Sequence, residues 1–378
     1  RSAYNLSVWK TNLSGGRSMR MLAHLQEYTL TLTTLSPVFI GSGNSYQKTE
    51  YLFDPVKKMV HFIDKNCFFQ FLLEHDLIDQ YEAFMLGSGN KNLNIFLKNI
   101  CKLSKKQIRS LINESISAAD AIDESHSLKE VQAFVKRPDG KFYIPGSSLK
   151  GCLRTILLTN LLLQDTALTR IDSSDKDWAK HLEQRYLHVL NCNTKNASDD
   201  VNSIMRGLSV SDSMPIDETS IILCRKIDLL VNNEENIINV VRQCIAPNTK
   251  IFFQVTLDQS MLNDRITVES IQTAIDHFDA FYRKCYNAKF PQPSLYDAKD
   301  PFLILGGGSG FFDKNLIYPF YNDTPQKAVA EVSKILSNKF AKHGHSHDQN
   351  IGISPHTQKL TEYMDKEYPF GLSKVKWS

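Results

Sequence analysis

Ile144-Pro145-Gly146-Ser147-Ser148-Leu149-Lys150-Gly151-Cys152-Leu153-Arg154 joins two hydrophobic periods. Residues 142–144 end a strand-like run, and Gly146-Ser147-Ser148 interrupts it. Leu149, Leu153, Ile156, Leu157 and Leu161 then recur at helical spacing, which predicts a helix with one apolar face and Ser147 or Ser148 as its cap. The first amides of such a helix lack intrahelical acceptors and sit at the positive end of its dipole, so they suit an anion such as phosphate. Lys150 and Arg154 lie four residues apart on one side, and cations in a first turn oppose the dipole by ~0.3 to 1 kcal/mol. An anion would remove that conflict. On residues alone, a capped core helix with two solvated cations fits equally well. The segment is not a Walker P-loop, because its lysine precedes Gly151 and no Ser or Thr follows.

On either side of this segment the two periods alternate. Residues 28–40 read as a strand closed by Gly41-Ser42-Gly43, and 51–53 with 59–63 as a hairpin around residues 54–58. Between 64 and 128 the spacing of Phe68, Phe71, Leu72, Leu93, Phe96, Leu97, Ile100, Ile108, Leu111 and Ile112 predicts a helical insertion, with Gly87-Ser88-Gly89-Asn90 as a loop tip. Strands are expected over 131–135 and 142–144, joined by the turn Arg137-Pro138-Asp139-Gly140, and again over 208–213, 221–230, 237–245 and 251–257. Helices are expected over 267–285 and 325–340. Strands and helices mixed in both halves, without βαβ spacing or an internal repeat, indicate an α+β protein. The domain boundary is expected near Met214-Pro215, giving units 19–215, which carries the insertion, and 216–378. Residues 1–18 lack an apolar signal core and read as an appended remnant ahead of Met19 or Met21, set aside from the fold.

Composition narrows the class. In 378 residues, 42% hydrophobic and 22% charged, the balance is that of a globular chain large enough for two domains. With 44 basic and 41 acidic residues the net charge is only +3, so any polyanion site must be local. Residues 136–154 hold five basic side chains and one acidic one, more net charge than the whole chain carries. The seven cysteines are scattered without C-x-x-C spacing, which points to reduced thiols in a cytoplasmic protein. No apolar run approaches the ~20 residues of a membrane span.

The glycine segment closely resembles that of the RAMP superfamily of CRISPR RNA-binding proteins. Leu35-Ser36-Pro37-Val38-Phe39-Ile40-Gly41-Ser42-Gly43 looks like the first strand and loop of that group, and Leu208-Ser209-Val210-Ser211-Asp212-Ser213 like its central strand. Leu305-Gly306-Gly307-Gly308-Ser309-Gly310-Phe311 with Lys314, and the ending Tyr368-Pro369-Phe370-Gly371-Leu372, are similar to the fifth-subunit family of type III-A Csm effector complexes. The resemblance implies two RRM-like (ferredoxin-like) domains, with the insertion in the first. It implies a non-catalytic subunit that caps the 3' end of the crRNA and supports crRNA maturation and target RNA binding. Its partners would be crRNA, target RNA, the adjacent RAMP backbone subunit with other Csm subunits, and host nucleases. Carried over by position, Gly41, Ser42, Gly43, Gly146, Ser147, Ser148, Lys150, Arg154, Gly306, Gly307, Gly308, Ser309, Gly310 and Lys314 would contact guide phosphates. Arg137, in the hairpin tip Lys136 to Lys141, would project between guide and target. Glycines admit a close strand, amides bind phosphate oxygens, and cations add salt-dependent attraction.

The competing reading is an endoribonuclease that trims the guide precursor. Against it, residues 41–48 contain no carboxylate, and no nucleophile elbow occurs in the chain. The 306–310 loop lacks the spacing of a dinucleotide fingerprint, and no cofactor is expected. His343, His345 and His347 alternate as metal ligands can, but no cysteine lies nearby; they read as a solvated loop, with no metal. The remaining histidines, His356 among them, read as isolated.

Overall fold

A computed structural model describes residues 24–88, 91–118, 120–122, 128, 130–165, 177–290 and 300–378. The remnant expected over 1–18, and Gly89 and Asn90 of the expected loop tip, lie outside the described residues.

Five strands make the sheet that carries the glycine segment, in the order Leu303–Ile304, Leu372–Trp377, Leu25–Thr34, Lys250–Asp258, Leu208–Val210, all antiparallel. Leu30 lies opposite Phe253 and Trp377, and Leu32 opposite Ile251 and Val375. Period-2 alternation therefore turns Leu30, Leu32, Ile251, Phe253, Val255 and Leu257 into the core. The helices Gly146–Gln164 and Val268–Cys285 pack together and join the same core through Leu149, Leu153 and Ile156 and through Ile271, Ala274 and Phe278. Leaving aside the short Leu303–Ile304, the chain order here is strand, helix, two strands, helix, strand, and in space the fourth, first, third and second of these strands lie side by side.

The second sheet has six strands: Lys366–Pro369, Thr357–Tyr363, Ile221–Leu230, Glu235–Ile245, Val131–Phe134 and Gly41–Tyr46. Gly41-Ser42-Gly43, expected as a loop, begins this edge strand, whose register shifts between Gly41 and Ser45. Both sheets take strands from either side of residue 215, so the boundary expected there does not separate them. Among the described residues the first strand, Leu25–Thr34, pairs with the last, Leu372–Trp377.

The insertion has its own core. The hairpin Tyr51–Asp54 and Met59–Ile63 forms as expected, and Ile112–Ser117 adds a third strand to it. Ile112, expected as helical, starts that strand, because the helix Lys105–Ser110 ends and the chain pairs Ile112 with Ile63. Leu52, Ile63, Phe68, Leu72, Leu93, Phe96, Leu97, Ile108 and Leu111 are buried together beneath the helices Lys65–Glu74 and Ile78–Leu86. A buried ion pair, Lys136 Nζ to Glu114 Oε2 at 2.6 Å, ties the insertion to the body. Burial outweighs the lysine and holds the Glu114 carboxyl above its ordinary range. All seven cysteines are free thiols, and among the described residues no helix is long and apolar enough to cross a membrane.

Candidate nucleic-acid interface

The glycine helix begins at Gly146 without a side-chain cap of its own, so neither Ser147 nor Ser148 fills the expected role. The cap comes from 66 residues away: Gly146 N–H donates to Asp212 Oδ1 at 2.9 Å. A Cβ at Gly146 would lie 2.2 Å from Val210 O and 2.5 Å from Ser211 O, so only glycine fits beside that strand. Ser213 Oγ accepts from Ile144 N–H at 2.9 Å and donates to Met214 O at 2.8 Å, fixing the approach to the helix. The Ser211-Asp212-Ser213 segment is thus the buttress of the glycine helix. The expectation of a free amide at Gly146 is not met, and a carboxylate already faces the positive end of the dipole.

Beyond this first residue the helix opens. Ser147 and Arg154 are exposed and Lys150 is half-buried, and all three face one cleft of about 570 Å³. Burial, with Arg154 adding to it, pulls the Lys150 ammonium below its ordinary pKa. The opposite walls come from the helix Trp178–Leu187 with its C-cap His188 and from residues 200–206; besides His188 they contribute Lys180, Glu183, Asp200 and Arg206. Arg154 Nη1 meets Glu183 Oε1 at 3.2 Å, and Arg206 Nη1 donates to Val201 O at 2.8 Å. Four permanent cations against two carboxylates leave the cleft positive. Lys180 and Arg206 escaped sequence reasoning because neither stands in a motif, and only the fold brings them to Lys150.

The other expected contacts lie elsewhere. The tip Arg137-Pro138-Asp139-Gly140 is an exposed turn, closed by Gly140 N–H to Arg137 O at 2.9 Å. Residues 41–44 are exposed along the edge strand, and Ser42 lines a second cavity with Tyr46, Lys65 and Lys136. The Gly306 to Gly310 loop packs on the first glycine segment rather than on the helix start: Gly307 N–H donates to Phe39 O at 2.7 Å, and a Cβ on Gly306, whose φ is +87°, would lie 2.3 Å from that oxygen. Ser309 is buried, its Oγ donating to Asp313 Oδ2 at 2.8 Å and accepting from Lys314 Nζ at 2.6 Å. Beside Gly308, the Arg242 guanidinium is sandwiched between the Phe39 and Phe370 rings at 5.3 and 5.5 Å, and its Nε donates to Gln132. No sequence signal singles out Arg242, which comes from mid-strand.

The histidine-rich segment divides. His343 and His347 are exposed as expected, but His345 is buried against Asp348, and His356, read as isolated, reaches the same carboxylate.

A sequence model described as the RAMP superfamily matches residues 31–337. A protein of Mycobacterium tuberculosis named "CRISPR system Cms protein Csm5" is 26% identical over 379 aligned residues, covering 93% of this chain and 97% of that protein. The Streptococcus thermophilus protein of the same name is 26% identical over 295 residues, 76% of this chain and 80% of its own. Among solved structures, a chain of the cryo-EM structure of a Csm-crRNA-target RNA ternary complex from a type III-A CRISPR-Cas system matches with TM-score 0.64 at 20% identity, over 92% of this chain and 100% of that one. The crystal structure of T. onnurineus Csm5 matches with TM-score 0.53 at 16% identity, over 91% and 99%. Both share the fold.

Proposed function

This chain belongs to the RAMP superfamily, and from that premise we propose that it is the Csm5-like, RNA-binding and non-catalytic subunit of a type III-A CRISPR Csm ribonucleoprotein, capping the 3' end of the crRNA. The observation that carries the proposal is the positive cleft beside the glycine helix, where Ser147, Lys150 and Arg154 meet Lys180 and Arg206. Hydroxyls and cations gathered in one cleft suit the phosphates of a single strand. Gly146 serves by holding the helix end against Asp212, not by touching RNA. Further guide contacts are assigned to the exposed backbone at Gly41 to Gly43, to Arg137, and to the Gly308 to Gly310 turn with Lys314. Other Csm subunits and target RNA are the partners of this reading, and host nucleases act on the guide end it presents. The five-stranded sheet with its two helices is read as one RRM-like unit and the six-stranded sheet as the second, interleaved along the chain.

Exchanging Lys150→Ala together with Arg154→Ala tests the proposal. Each lost phosphate contact lowers the slope of log K against log salt by about 0.7 for a single strand, so the double variant loses roughly 1.4 while keeping its circular dichroism. An unchanged slope and unchanged assembly of the guide-bearing complex would refute it. One observation favours a ribonuclease instead: His188 lines the same cleft, its Nδ1 3.3 Å from Ala197 O and its Nε2 4.0 Å from Asp200 Oδ1. Guide precursor incubated with the purified chain, with and without EDTA, separates the readings, since specific cleavage abolished by His188→Ala favours the enzyme.

A further inference from the structure

Three side chains outside the cleft converge just ahead of the strand Thr357–Tyr363. His345 Nδ1 lies 3.0 Å from Asp348 Oδ2, and His356 Nδ1 lies 2.5 Å from Asp348 Oδ1. Asp348 is fully buried and His345 nearly so, while His356 is half-buried. One donor atom from each side chain falls within 4.8 Å of the other two. Tetrahedral zinc with bonds of 2.0 to 2.2 Å sets its ligands about 3.4 Å apart, so this set closes on an ion with only small rotamer shifts.

We propose that His345, Asp348 and His356 bind a divalent transition-metal ion, zinc by donor chemistry, with a fourth position open to solvent. Two imidazoles and one carboxylate make a borderline-soft N2O set, which suits zinc or cobalt and not calcium or magnesium, whose ligands are oxygens. The open side is a cavity of about 830 Å³ lined by His343, His345 and His356, through which an ion and a water ligand enter. Of the charged groups on that cavity, Lys359 is already paired with Asp228 at 2.8 Å, and Glu235 offsets Lys342.

The surroundings hold the donors as a metal site requires. Ser354 Oγ donates to Asp348 Oδ2 at 2.5 Å. Ser354 is itself fixed by Tyr318, whose hydroxyl accepts from Ser354 N–H at 3.0 Å and donates to Ser354 O at 2.7 Å. Ser333, on the helix Pro325–Lys339, donates to His345 O at 2.7 Å. Outer partners of this kind orient ligating carboxylates and imidazoles. The rival arrangement is a bare carboxylate bridging two imidazole N–H groups, which needs no ion. The two differ in what they bind and in spacing, since an ion would widen the N···O separations from 3.0 and 2.5 Å to about 3.4 Å. A bound ion would cross-link residues 345–356 just ahead of the strand Thr357–Tyr363 and so stiffen the six-stranded sheet at its C-terminal side.

The test uses the full chain without a polyhistidine tag, stripped with EDTA and dialysed. Titration with cobalt(II) is expected to give visible ligand-field absorption saturating at one ion per chain and displaced by zinc. Zinc at a hundredfold excess over its dissociation constant raises the unfolding midpoint by several degrees. Asp348→Asn and His356→Ala each weaken zinc binding by at least roughly tenfold. The wild-type titration decides on its own if a variant fails to fold. No cobalt absorption and no zinc-dependent shift in the wild-type chain, or binding undiminished in both folded variants, would overturn the proposal.

Discussion

Gly146→Ala puts the buttress of the glycine helix under direct load. The added Cβ would meet Val210 O at 2.2 Å and Ser211 O at 2.5 Å, where an ordinary carbon–oxygen contact needs about 1 Å more. Relief requires the helix start to back away from Ser211-Asp212-Ser213, which breaks the 2.9 Å bond from Gly146 N–H to the Asp212 carboxylate. Overpacking of this kind costs about 1 to 3 kcal/mol, and a hydrogen bond to a charged acceptor contributes about 1.5 to 3 kcal/mol. Alanine returns up to about 1 kcal/mol of helix propensity. With that gain subtracted in full the net loss is ~1.5 to 5 kcal/mol, a large share of the ~5 to 15 kcal/mol that a folded domain holds. Urea unfolding followed by circular dichroism reads it as a lower midpoint at unchanged m-value. Ser147→Ala, one residue along but exposed, is expected to stay within about 0.5 kcal/mol of the wild type. If Gly146→Ala were as stable as the wild type, the glycine would not be there for the protein's own backbone, and the assignment of Asp212 as its cap would fall.

Two further substitutions probe charge. Lys136→Met leaves Glu114 buried and unpaired, which costs about 3 to 5 kcal/mol at pH 8 by urea midpoint. Because the carboxyl's raised pKa rises further without its lysine, the folded variant binds a proton the unfolded chain releases, so its stability recovers as pH falls towards 6; equal loss at both pH values would contradict the pairing. Glu367 is pushed up to about 7 by burial and then by Glu235 and Glu362. Its raised value destabilises the fold above pH 7 and the penalty fades as pH drops through 7 towards the ordinary carboxylate range, so Glu367→Gln should flatten that part of the stability profile and leave the acid side unchanged.

What the sequence could disclose was local. The helix Val268–Cys285 is capped by Thr267 with Ser270 answering it, and the strand Ile221–Leu230 runs between the bounds its apolar run sets. Gly146 stood out as a glycine at a helix start, and Lys150 and Arg154 as cations on one face of it. The missing parts were all long-range. Asp212 caps a helix 66 residues upstream, Lys180 and Arg206 reach the cleft only once three segments fold together, and Arg242 lies between rings contributed by Phe39 and Phe370. Ile112 fits a helical spacing, but pairing with Ile63 overrides it. His345 and His356 depart from expectation for the same reason: His356 is eight residues from Asp348, and nothing in the spacing tells that a turn buries the carboxylate between them.

The central claim is that the cleft beside the glycine helix holds a ribose-phosphate strand. Crosslinking the guide to the full chain in the assembled ribonucleoprotein, followed by mass-spectrometric mapping, tests it most directly. Adducts on the peptides containing Ser147 to Arg154, Lys180 and Arg206 are the expected result; a map with those peptides clean and adducts confined to other faces would contradict it.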